Sequence, residues 1–416
     1  MTDISRRAGL TAAAAGLLAA AGCGGSSFTS TAKTSSAPQQ TTGTQKLTVL
    51  FGSSGAAETA NLQSLCNAWA ATAKAKVTVL PASNLPQQLA QGFAANKPAD
   101  VFYVDPATFQ SYVKAGNLYP YADQLTADGF YPNLTSLYTN GGRVYCAPKD
   151  FSTLALQINT RLWKAAGLTA RDYPTTWAQL ASVAKKLTTG KVVGLSMGAS
   201  RDRVGAFMRQ AGGWYVNADQ TKAIADSAAN LAALTYVKSL LSAGTLKWAS
   251  DVGATWGGQA FGTGKAAMTI EGNWIASTMT SDYPGISYVT TVLPKGPAGA
   301  GTISFANAWG VAQKSPYQAA AVSLVKYLCS TTSQLSIAKQ VGTMPSRTAL
   351  TADYVKLFPA QKAFADEAAY AQGVVTLSSM TSVLADFDTQ LASLGTQAPS
   401  AILARLQKNT AAAITA

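Results

Sequence analysis

The sequence of 416 residues contains no histidine. Histidine is the side chain that most often acts as a general base near neutral pH, the base of Ser-His-Asp triads and a common zinc ligand. Its absence excludes those triads, catalysis by a histidine base and the zinc sites that contain histidine. Composition alone therefore rules out large groups of hydrolases and metalloenzymes.

Cysteine is also scarce, with four residues in the whole chain. No pair of them has the Cys-x-x-Cys spacing of redox and zinc motifs, and no cofactor or metal site is expected. Cys66, Cys146 and Cys329 can form at most one internal disulfide, and the sequence leaves open whether they form any. Cys329 continues an apolar helical pattern at residues 322–328, so we interpret it as a small buried hydrophobic side chain.

Charged residues make up only 12% of the chain, yet the formal net charge is +13. A basic balance is typical of proteins that bind nucleic acids. Here the lysines and arginines are scattered and no nucleic-acid-binding motif accompanies them, so no nucleic-acid partner is expected. We interpret the charge instead as suited to the anionic envelope of a cell.

The N-terminus has the pattern of an export signal. Arg6 and Arg7 precede a short run rich in Ala, Leu and Gly, which ends at Gly22 and Cys23. This run is too short to span a bilayer. The pattern resembles bacterial lipoprotein signals, and the resemblance implies cleavage before Cys23 and lipidation of its thiol. An uncleaved helical anchor is the alternative, and the choice between Tat and Sec export stays open.

A polar segment follows the signal. Half of residues 24–45 are Ser or Thr. Such a segment has too little apolar surface to offset the entropy lost on ordering, so we predict a flexible tether over these residues. The globular part is predicted to begin near Lys46, and the remaining length has room for two domains.

From Lys46 onward, strand-like and helix-like segments alternate. Strands are predicted at residues 47–51, 77–80 and 101–104, each followed by a helical pattern. This order favours a largely parallel sheet with helices on both faces. Further strands are predicted at residues 154–158, 192–196, 267–270, 286–293 and 309–312. After Pro316 the pattern is nearly all helical.

Four groups of short motifs follow one another along the chain. They read ADVFY at 99–103 with AGNL at 115–118; PKDF at 148–151 with LQIN at 156–159 and PTTW at 174–177; GKAAMTIEGNW at 264–274; and WGVA at 309–312 with GTMPSR at 342–347. In this order they resemble the extracellular sugar-binding proteins of ABC importers, the family that includes maltose-binding protein. The resemblance covers residues 47–347. Gln157 departs from it, because the family usually has an aromatic residue there.

The resemblance implies the α/β fold class, with two lobes of the periplasmic-binding-protein type, hinge strands and a central ligand cleft. It implies an N-terminal lobe of residues 46–150 plus 304–332 and a C-terminal lobe of residues 151–303 plus 333–416. Chain crossings near residues 148–152 and 304–306 would form the hinge. In open α/β sheets ligands bind at the carboxyl ends of the strands, and two hinged lobes can close around a ligand.

The same resemblance implies a substrate-binding lipoprotein that captures a carbohydrate and delivers it to the permease subunits of an ABC transporter. It would be a monomer without catalytic activity, held on the outer face of the cell membrane by lipid on Cys23. Two alternatives stay open. The same fold could bind a glycerol phosphodiester or another anionic solute through Arg201 and Arg203. A secreted glycosidase would instead require two carboxylates about 5–10 Å apart, and no motif singles out such a pair.

Candidate ligand contacts follow from the chemistry of a sugar. An indole ring can cover the apolar face of a pyranose, while carboxylate, amide and guanidinium groups bind its hydroxyls. By this reasoning and the resemblance, the predicted ligand contacts are Trp274, Trp309, Asp105, Asp150, Ser152, Arg201, Asp202 and Asn307.

Most of these residues also have a structural alternative. The tryptophans can be core residues, and Asp105 can cap the helix that begins at Pro106. Asp150 and Ser152 can act in the hinge. An Arg–Asp pair on a solvated turn is the alternative for residues 201–203.

Overall fold

The computed structural model describes residues 44–53 and 55–415. The predicted signal, Cys23 and residues 24–43 of the predicted tether lie outside the described residues. All residues that the structure describes belong to one compact unit of the chain.

Strands and helices alternate along the first part of the described chain, and every predicted strand overlaps an observed one. The strands are β1 Lys46–Phe51, β2 Lys76–Pro81, β3 Val101–Val104, β4 Thr139–Asn140, β5 Arg143–Val144, β6 Ala147–Asn159, β7 Val193–Met197, β8 Leu246–Trp248, β9 Ala266–Gly272, β10 Tyr288–Thr291, β11 Thr302–Val311, β12 Met344–Pro345 and β13 Ala371–Gln372.

Helices cover the strands and fill the C-terminal part of the chain, as predicted for the region after Pro316. They are α1 Ala56–Ala73, α2 Leu85–Ala94, α3 Pro106–Lys114, α4 Pro132–Ser136, α5 Thr160–Ala165, α6 Trp177–Leu187, α7 Arg201–Gln210, α8 Ala228–Ser242, α9 Gly257–Gly262, α10 Ile275–Ser281, α11 Gln318–Leu328, α12 Thr331–Val341, α13 Thr351–Leu357, α14 Lys362–Asp366, α15 Thr381–Ala392 and α16 Pro399–Thr415. Among the described residues, no helix combines the length and the apolar surface needed to cross a bilayer.

One continuous sheet runs through the molecule in the order β2-β1-β3-β11-β6-β9-β7-β8. The outer strands are parallel, as predicted: β1 pairs with β2 and β3, and β7 pairs with β8 and β9. The two long central strands, β6 and β11, are antiparallel to each other and to their other neighbours in this order. The sheet is therefore parallel at both ends and antiparallel in the middle.

The hydrophobic core is divided between two lobes. In the first lobe, side chains around β1–β3 pack together, among them Phe51 and Phe102. In the second lobe, side chains around β7 and β9 pack together, among them Leu195 and Phe207. This is the predicted α/β fold with two lobes.

Two strands cross between the lobes at the predicted places. In β6, Ala147 packs in the first lobe and Leu154 in the second. In β11, Ile303 packs in the second lobe and Val311 in the first. The lobes are therefore joined by a pair of hydrogen-bonded strands.

A third connection, which the sequence did not indicate, passes through β13. Tyr354, Phe364 and Ala368 pack in the first lobe, whereas Val375 packs in the second. The predicted lobe boundary at residue 333 does not follow this packing. We propose a boundary near Gly373 instead.

The three cysteines of the described chain, Cys66, Cys146 and Cys329, are buried. Cys329 is fully buried at the end of α11, which confirms its interpretation as a small hydrophobic side chain. Burial raises the pKa of the Cys66 thiol to about 12, so this thiol is neutral and unreactive at physiological pH.

Glu367 lies where the third connection leaves the first lobe. Its side chain is fully buried (0% exposed), and its Oε1 accepts a hydrogen bond from the backbone N–H of Leu293 at 2.5 Å. Burial raises the pKa of this carboxyl well above its ordinary value, and the hydrogen bond from Leu293 offsets only part of that effect.

Replacing Glu367 with Gln should change how stability depends on pH. Folded Glu367 keeps its proton to a higher pH than in the unfolded chain, whose ordinary pKa is 4.5. Between the two pKa values the unfolded chain binds fewer protons, so the free energy of unfolding falls as pH rises. The fall is up to about 1.4 kcal/mol per pH unit. The Glu367→Gln variant should not show this fall. Its free energy of unfolding near neutral pH should therefore be higher than that of the native protein.

Urea denaturation followed by tryptophan fluorescence, at several pH values between acid and neutral, measures this difference. Asp366→Asn is the matched control, because Asp366 is an exposed neighbour that pairs with Lys362 at 2.5 Å. If the free energy of unfolding changes with pH in the same way for the native protein and for Glu367→Gln, the raised pKa of Glu367 is contradicted.

Candidate functional site

A cleft of about 940 Å³ lies between the two lobes. The first lobe contributes the start of α1 and Asp105 after β3, and the second lobe contributes the start of α7 and Trp274 after β9. Residues 150–152 of β6 and 304–307 of β11 form its floor. The cleft is thus at the carboxyl ends of the parallel strands, where the sequence predicts it.

The structure brings together seven of the eight predicted ligand contacts. Those that line the cleft are Asp105, Asp150, Ser152, Arg201, Asp202, Trp274 and Asn307. Their presence in one cleft agrees with the predicted site, and their contact with a ligand stays a prediction.

Trp309 does not line the cleft, which corrects the prediction that it stacks on a ligand. Its side chain is fully buried (0% exposed) in the core of the first lobe. Its ring meets the Tyr103 ring edge-on, with ring centres 4.8 Å apart, and its carbonyl accepts a hydrogen bond from Tyr121 Oη at 2.6 Å. β11 lies between β3 and β6 here, so Trp309 packs inside the lobe.

Trp274 is the aromatic side of the cleft. It lies in the turn after β9, one residue beyond Asn273, and is half-buried. Gly272 makes its position possible, because a Cβ there would lie 2.2 Å from the indole ring. The Phe305 ring stands almost perpendicular to it, at 86° with ring centres 5.1 Å apart. Trp274 and Phe305 form an aromatic corner, which both residues expose to the cleft.

A buried carboxylate fixes the orientation of Trp274. The indole Nε1 donates a hydrogen bond to Glu271 Oε2 at 3.2 Å, and the same oxygen accepts the guanidinium of Arg203. Arg203 also lies 5.7 Å from the centre of the Trp274 ring, a cation–π distance. Burial raises the pKa of Glu271, although the contact with Arg203 opposes this shift.

Gln157 holds the backbone of Glu271 in place. Its side chain is fully buried, and its Oε1 accepts a hydrogen bond from the backbone N–H of Glu271 at 3.0 Å. The position at which the sequence departs from the family resemblance is therefore a polar support for β9. It does not line the cleft.

The floor of the cleft contains a buried ion cluster. Lys149 Nζ lies 3.2 Å from Glu58 Oε1 and 2.5 Å from Asp150 Oδ2. Burial alone would lower the pKa of Lys149, but the neighbouring Asp150, Tyr103 and Glu58 have the larger, opposite effect. The pKa therefore lies above its ordinary value, and the lysine stays charged. Thr343 Oγ1 also donates to Asp150 Oδ2, at 2.9 Å.

A bulge in β6 produces this cluster. Asn307 of β11 pairs with Asp150, but the next residue, Ala308, pairs with Pro148. Lys149 is therefore the extra residue of the bulge. Both hydrogen bonds to the Asp150 carboxylate go to Oδ2, and Oδ1 has no partner within the part of the chain that the structure describes, while the residue lines the cleft.

Other polar groups surround the floor. Ser152 Oγ accepts a hydrogen bond from the backbone N–H of Asn273 at 3.0 Å, which ties the crossing strand to the turn before Trp274. Ser304 Oγ is buried at the floor and lacks a partner among the described residues. Asp105 has the predicted capping role, since its Oδ1 accepts a hydrogen bond from the backbone N–H of Ala107 at 2.8 Å. The residue also lines the cleft, and its contact with a ligand stays a prediction.

The arginines near the cleft are paired with acids. Arg201 donates through its backbone N–H to Asp388 Oδ1 at 2.5 Å and through its guanidinium to the other oxygen. Arg201 therefore pairs with α15. The alternative of an Arg–Asp pair within residues 201–203 is met by Arg203, whose Nη1 lies 3.9 Å from Asp202 Oδ2. The carboxyl of Asp105 has a pKa raised by burial, and its capping hydrogen bond and Arg201 oppose this.

Several cleft residues were missed by the sequence analysis. They come from the end of α12, from the third connection and from elements next to it, and include Lys339, Gln340, Thr343, Phe358, Gln361, Val374, Val375 and Leu384. None belongs to a strand end of the parallel sheet. The only signal close to them was the motif at residues 342–347, which begins inside the cleft.

The comparisons with known proteins agree with this architecture. Residues 64–371 match the family of bacterial extracellular solute-binding proteins. No curated protein sequence matches the chain.

Solved structures with the same fold cover nearly the whole chain. The cyclic alpha-maltosyl-1,6-maltose binding protein of Arthrobacter globiformis has a TM-score of 0.80 at 20% identity, covering 89% of this chain and 99% of its own. A cyclo/maltodextrin-binding protein complexed with maltotetraose has a TM-score of 0.77 at 22% identity (89% and 98% covered). A solute-binding protein of Thermotoga lettingae bound with alpha-D-tagatose has a TM-score of 0.75 at 19% identity (89% and 100% covered). At these identities the likeness establishes the fold.

Replacing Glu271 with Gln should destabilise the protein by about 3 kcal/mol, because Arg203 then keeps its charge without the buried partner. Glu271 is only 1% exposed, so water cannot take the place of the lost contact. Urea denaturation measures the free energy of unfolding.

The double variant Arg203→Met/Glu271→Gln is the control for this prediction. It removes both charges and keeps similar volumes, so it should recover most of the lost stability. A double variant as unstable as Glu271→Gln alone would show that packing, not the ion pair, is the cause.

Proposed function

The chain belongs to the bacterial extracellular solute-binding proteins, and from this membership we propose that it captures a carbohydrate in its cleft and delivers it to the permease of an ABC transporter. Membership of this family implies a protein that works outside the cytoplasm. The family consists of binding proteins, and we propose that this chain likewise binds its ligand without converting it.

The observation that carries the proposal is the aromatic corner beside a rim of hydrogen-bonding groups. Trp274 and Phe305 offer apolar rings to the cleft, and Asp105, Asp150 and Asn307 line the same space. A sugar ring has apolar C–H faces and a rim of hydroxyls, so it matches both elements at once. The structural relatives bound with maltotetraose and with tagatose support the same ligand class.

The pairing of the arginines favours a neutral ligand over an anionic one. A glycerol phosphodiester would need a cation free to bind its phosphate. Arg201 is bound to Asp388, and Arg203 is bound to Glu271. Both arginines that the sequence singled out for a phosphate are therefore paired with carboxylates, which favours a neutral ligand. Lys339 is an exposed lysine that lines the cleft, so the anionic solute stays the alternative that the ligand panel tests.

The carboxylates of the floor suit binding better than glycoside hydrolysis. Glu58 and Asp150 both contact Lys149, at 3.2 and 2.5 Å. A glycosidase places its two carboxyl groups on either side of the scissile bond. Here one lysine holds both groups, which fixes them as acceptors for hydroxyls.

Differential scanning fluorimetry against neutral mono-, di- and oligosaccharides and glycerophosphodiesters identifies the ligand class, and calorimetric titration then measures its affinity. We expect stabilisation by a neutral sugar and recovery of that sugar unchanged after incubation. Stabilisation only by the phosphodiesters, or turnover of an oligosaccharide, would refute the proposal.

Trp274→Ala should weaken sugar binding by about 1–2 kcal/mol or more, because the stacking surface is lost. Trp274→Phe keeps an aromatic face but loses the hydrogen bond to Glu271, so its affinity should lie in between. Trp256→Ala is the matched control, since Trp256 is another half-buried tryptophan and does not line the cleft. Unchanged affinity of Trp274→Ala would show that the aromatic corner is not the sugar site.

We also propose that Cys23 carries the lipid anchor and that the protein acts as a monomer. In bacteria expressing the full chain, Cys23→Ser should abolish incorporation of labelled fatty acid and release the protein from the membrane fraction. Cys66→Ser is the control, because Cys66 is a buried thiol of the globular part. Equal labelling of the native chain and Cys23→Ser would refute the anchor.

A further inference from the structure

Six exposed lysines lie at the end of the first lobe that is opposite the cleft. We call them the basal lysines: Lys46, Lys74, Lys76, Lys97, Lys114 and Lys314. They belong to different elements, and the topology of the sheet brings them to one edge.

Three basal lysines are neighbours at the start of β1 and β2. These strands are parallel, and Lys46 is the direct partner of Lys76. The backbone N–H of Lys76 donates to the carbonyl of Gln45 at 2.8 Å. Lys74 lies two residues before Lys76 and is the C-cap of α1, with a left-handed backbone conformation. Three lysines therefore lie close together along the backbone at the start of these two strands.

The other three basal lysines surround this group. Lys97 precedes β3, which starts at the same edge as β1 because the two strands are parallel. Lys314 follows β11, which runs antiparallel to β3, and its ammonium donates to the Asn96 side chain. Lys114 ends α3, the helix that returns from the cleft end of β3 to this edge.

No acidic side chain neutralises this edge within the described residues. Asp100 is only 6% exposed and is occupied by hydrogen bonds from Thr48 and Ser315. Asp123 is paired with Arg143 at 3.7 Å. None of the six basal lysines forms an ion pair in the described part of the chain. The edge therefore carries an unbalanced positive field.

The position of this edge along the chain points to its partner. Residues 24–45 connect the predicted lipidation site, Cys23, directly to Lys46. Even fully extended, they reach about 75 Å at most. The basal lysines are thus at the point where the globular part joins its proposed anchor, while the cleft residues such as Asp105 lie at the other end of β3.

We propose that the basal lysines dock the first lobe on the anionic phospholipid headgroups of the membrane that carries the anchor. The proposal rests on the extracytoplasmic, membrane-anchored function proposed above. Clusters of lysines close to a bilayer are attracted by anionic lipids over about a Debye length. In this pose the cleft is open to solute, and the protein leaves the pose when it presents its cleft to the permease.

The test uses residues 24–416, which contain every described element but lack the lipidated cysteine. Co-sedimentation with vesicles of phosphatidylcholine, with and without phosphatidylglycerol, measures the membrane partition coefficient. We expect binding only to the anionic vesicles, and its loss at about 0.5 M salt, where screening shortens the range of the field. The triple variant Lys46→Gln/Lys74→Gln/Lys76→Gln should bind at least about tenfold more weakly.

The matched control removes the same charge from the second lobe. Lys185, Lys186 and Lys191 are exposed lysines close together in sequence, before β7 and away from the cleft. Lys185→Gln/Lys186→Gln/Lys191→Gln should keep binding to anionic vesicles. Equal loss in both triple variants, or equal binding to neutral vesicles, would overturn the proposal.

Sugar binding, measured calorimetrically on the same variants, separates this proposal from the proposed function. Both triple variants should keep the native affinity for the sugar, because none of the substituted lysines lines the cleft. A native chain that binds the sugar but does not bind anionic vesicles would refute only the docking by the basal lysines. A native chain that docks on anionic vesicles but binds no sugar would instead refute the carbohydrate assignment and leave the docking intact.

Discussion

The pairing of β6 with β11 is the constraint on which the rest of the site depends. Both strands pass through the two lobes, so their polar side chains at the crossing are either satisfied inside the protein or face the cleft. The bulge at Lys149 determines which of these side chains are satisfied inside the protein and which face the cleft. It places the lysine beside Glu58 and Asp150 and leaves one oxygen of Asp150 for the cleft. The floor is therefore set by backbone register before any ligand is present.

Charge pairing explains how charged side chains are accommodated at the cleft. Moving an ion out of water costs several kcal/mol unless a partner compensates for the lost hydration. Lys149, Arg201 and Arg203 each have such a partner, and the carboxylates that hold them come from different elements of the fold. The pair Arg203–Glu271 has a second effect, since it fixes the indole of Trp274. The same contacts that make burial of charge possible thus orient an uncharged stacking surface.

The alternation of strands and helices could be predicted from local pattern, whereas the two lobes and most of the cleft followed from the family resemblance. Trp274 was identified from that resemblance and from the chemistry of sugar stacking, and the structure shows the space that Gly272 leaves for its indole. Trp309 has a similar local pattern but packs inside the lobe, a distinction that depends on which strands flank β11. Phe358 and Val375 reach the cleft through a third connection whose strand, β13, has only two residues. Such a short strand leaves no periodic signal.

The distribution of charge separates the two ends of the first lobe. At the carboxyl ends of its strands, Glu58, Lys149 and Asp150 are buried and paired, and they act over short distances through fixed contacts. At the amino ends, the basal lysines are exposed and have no ion-pair partner among the described residues, so their effect extends into solvent and is screened by salt. Ionic strength therefore acts on one end and leaves the other nearly unchanged. The net charge of +13, which the cleft does not use, is accounted for in part by a surface whose position along the chain is fixed by Lys46.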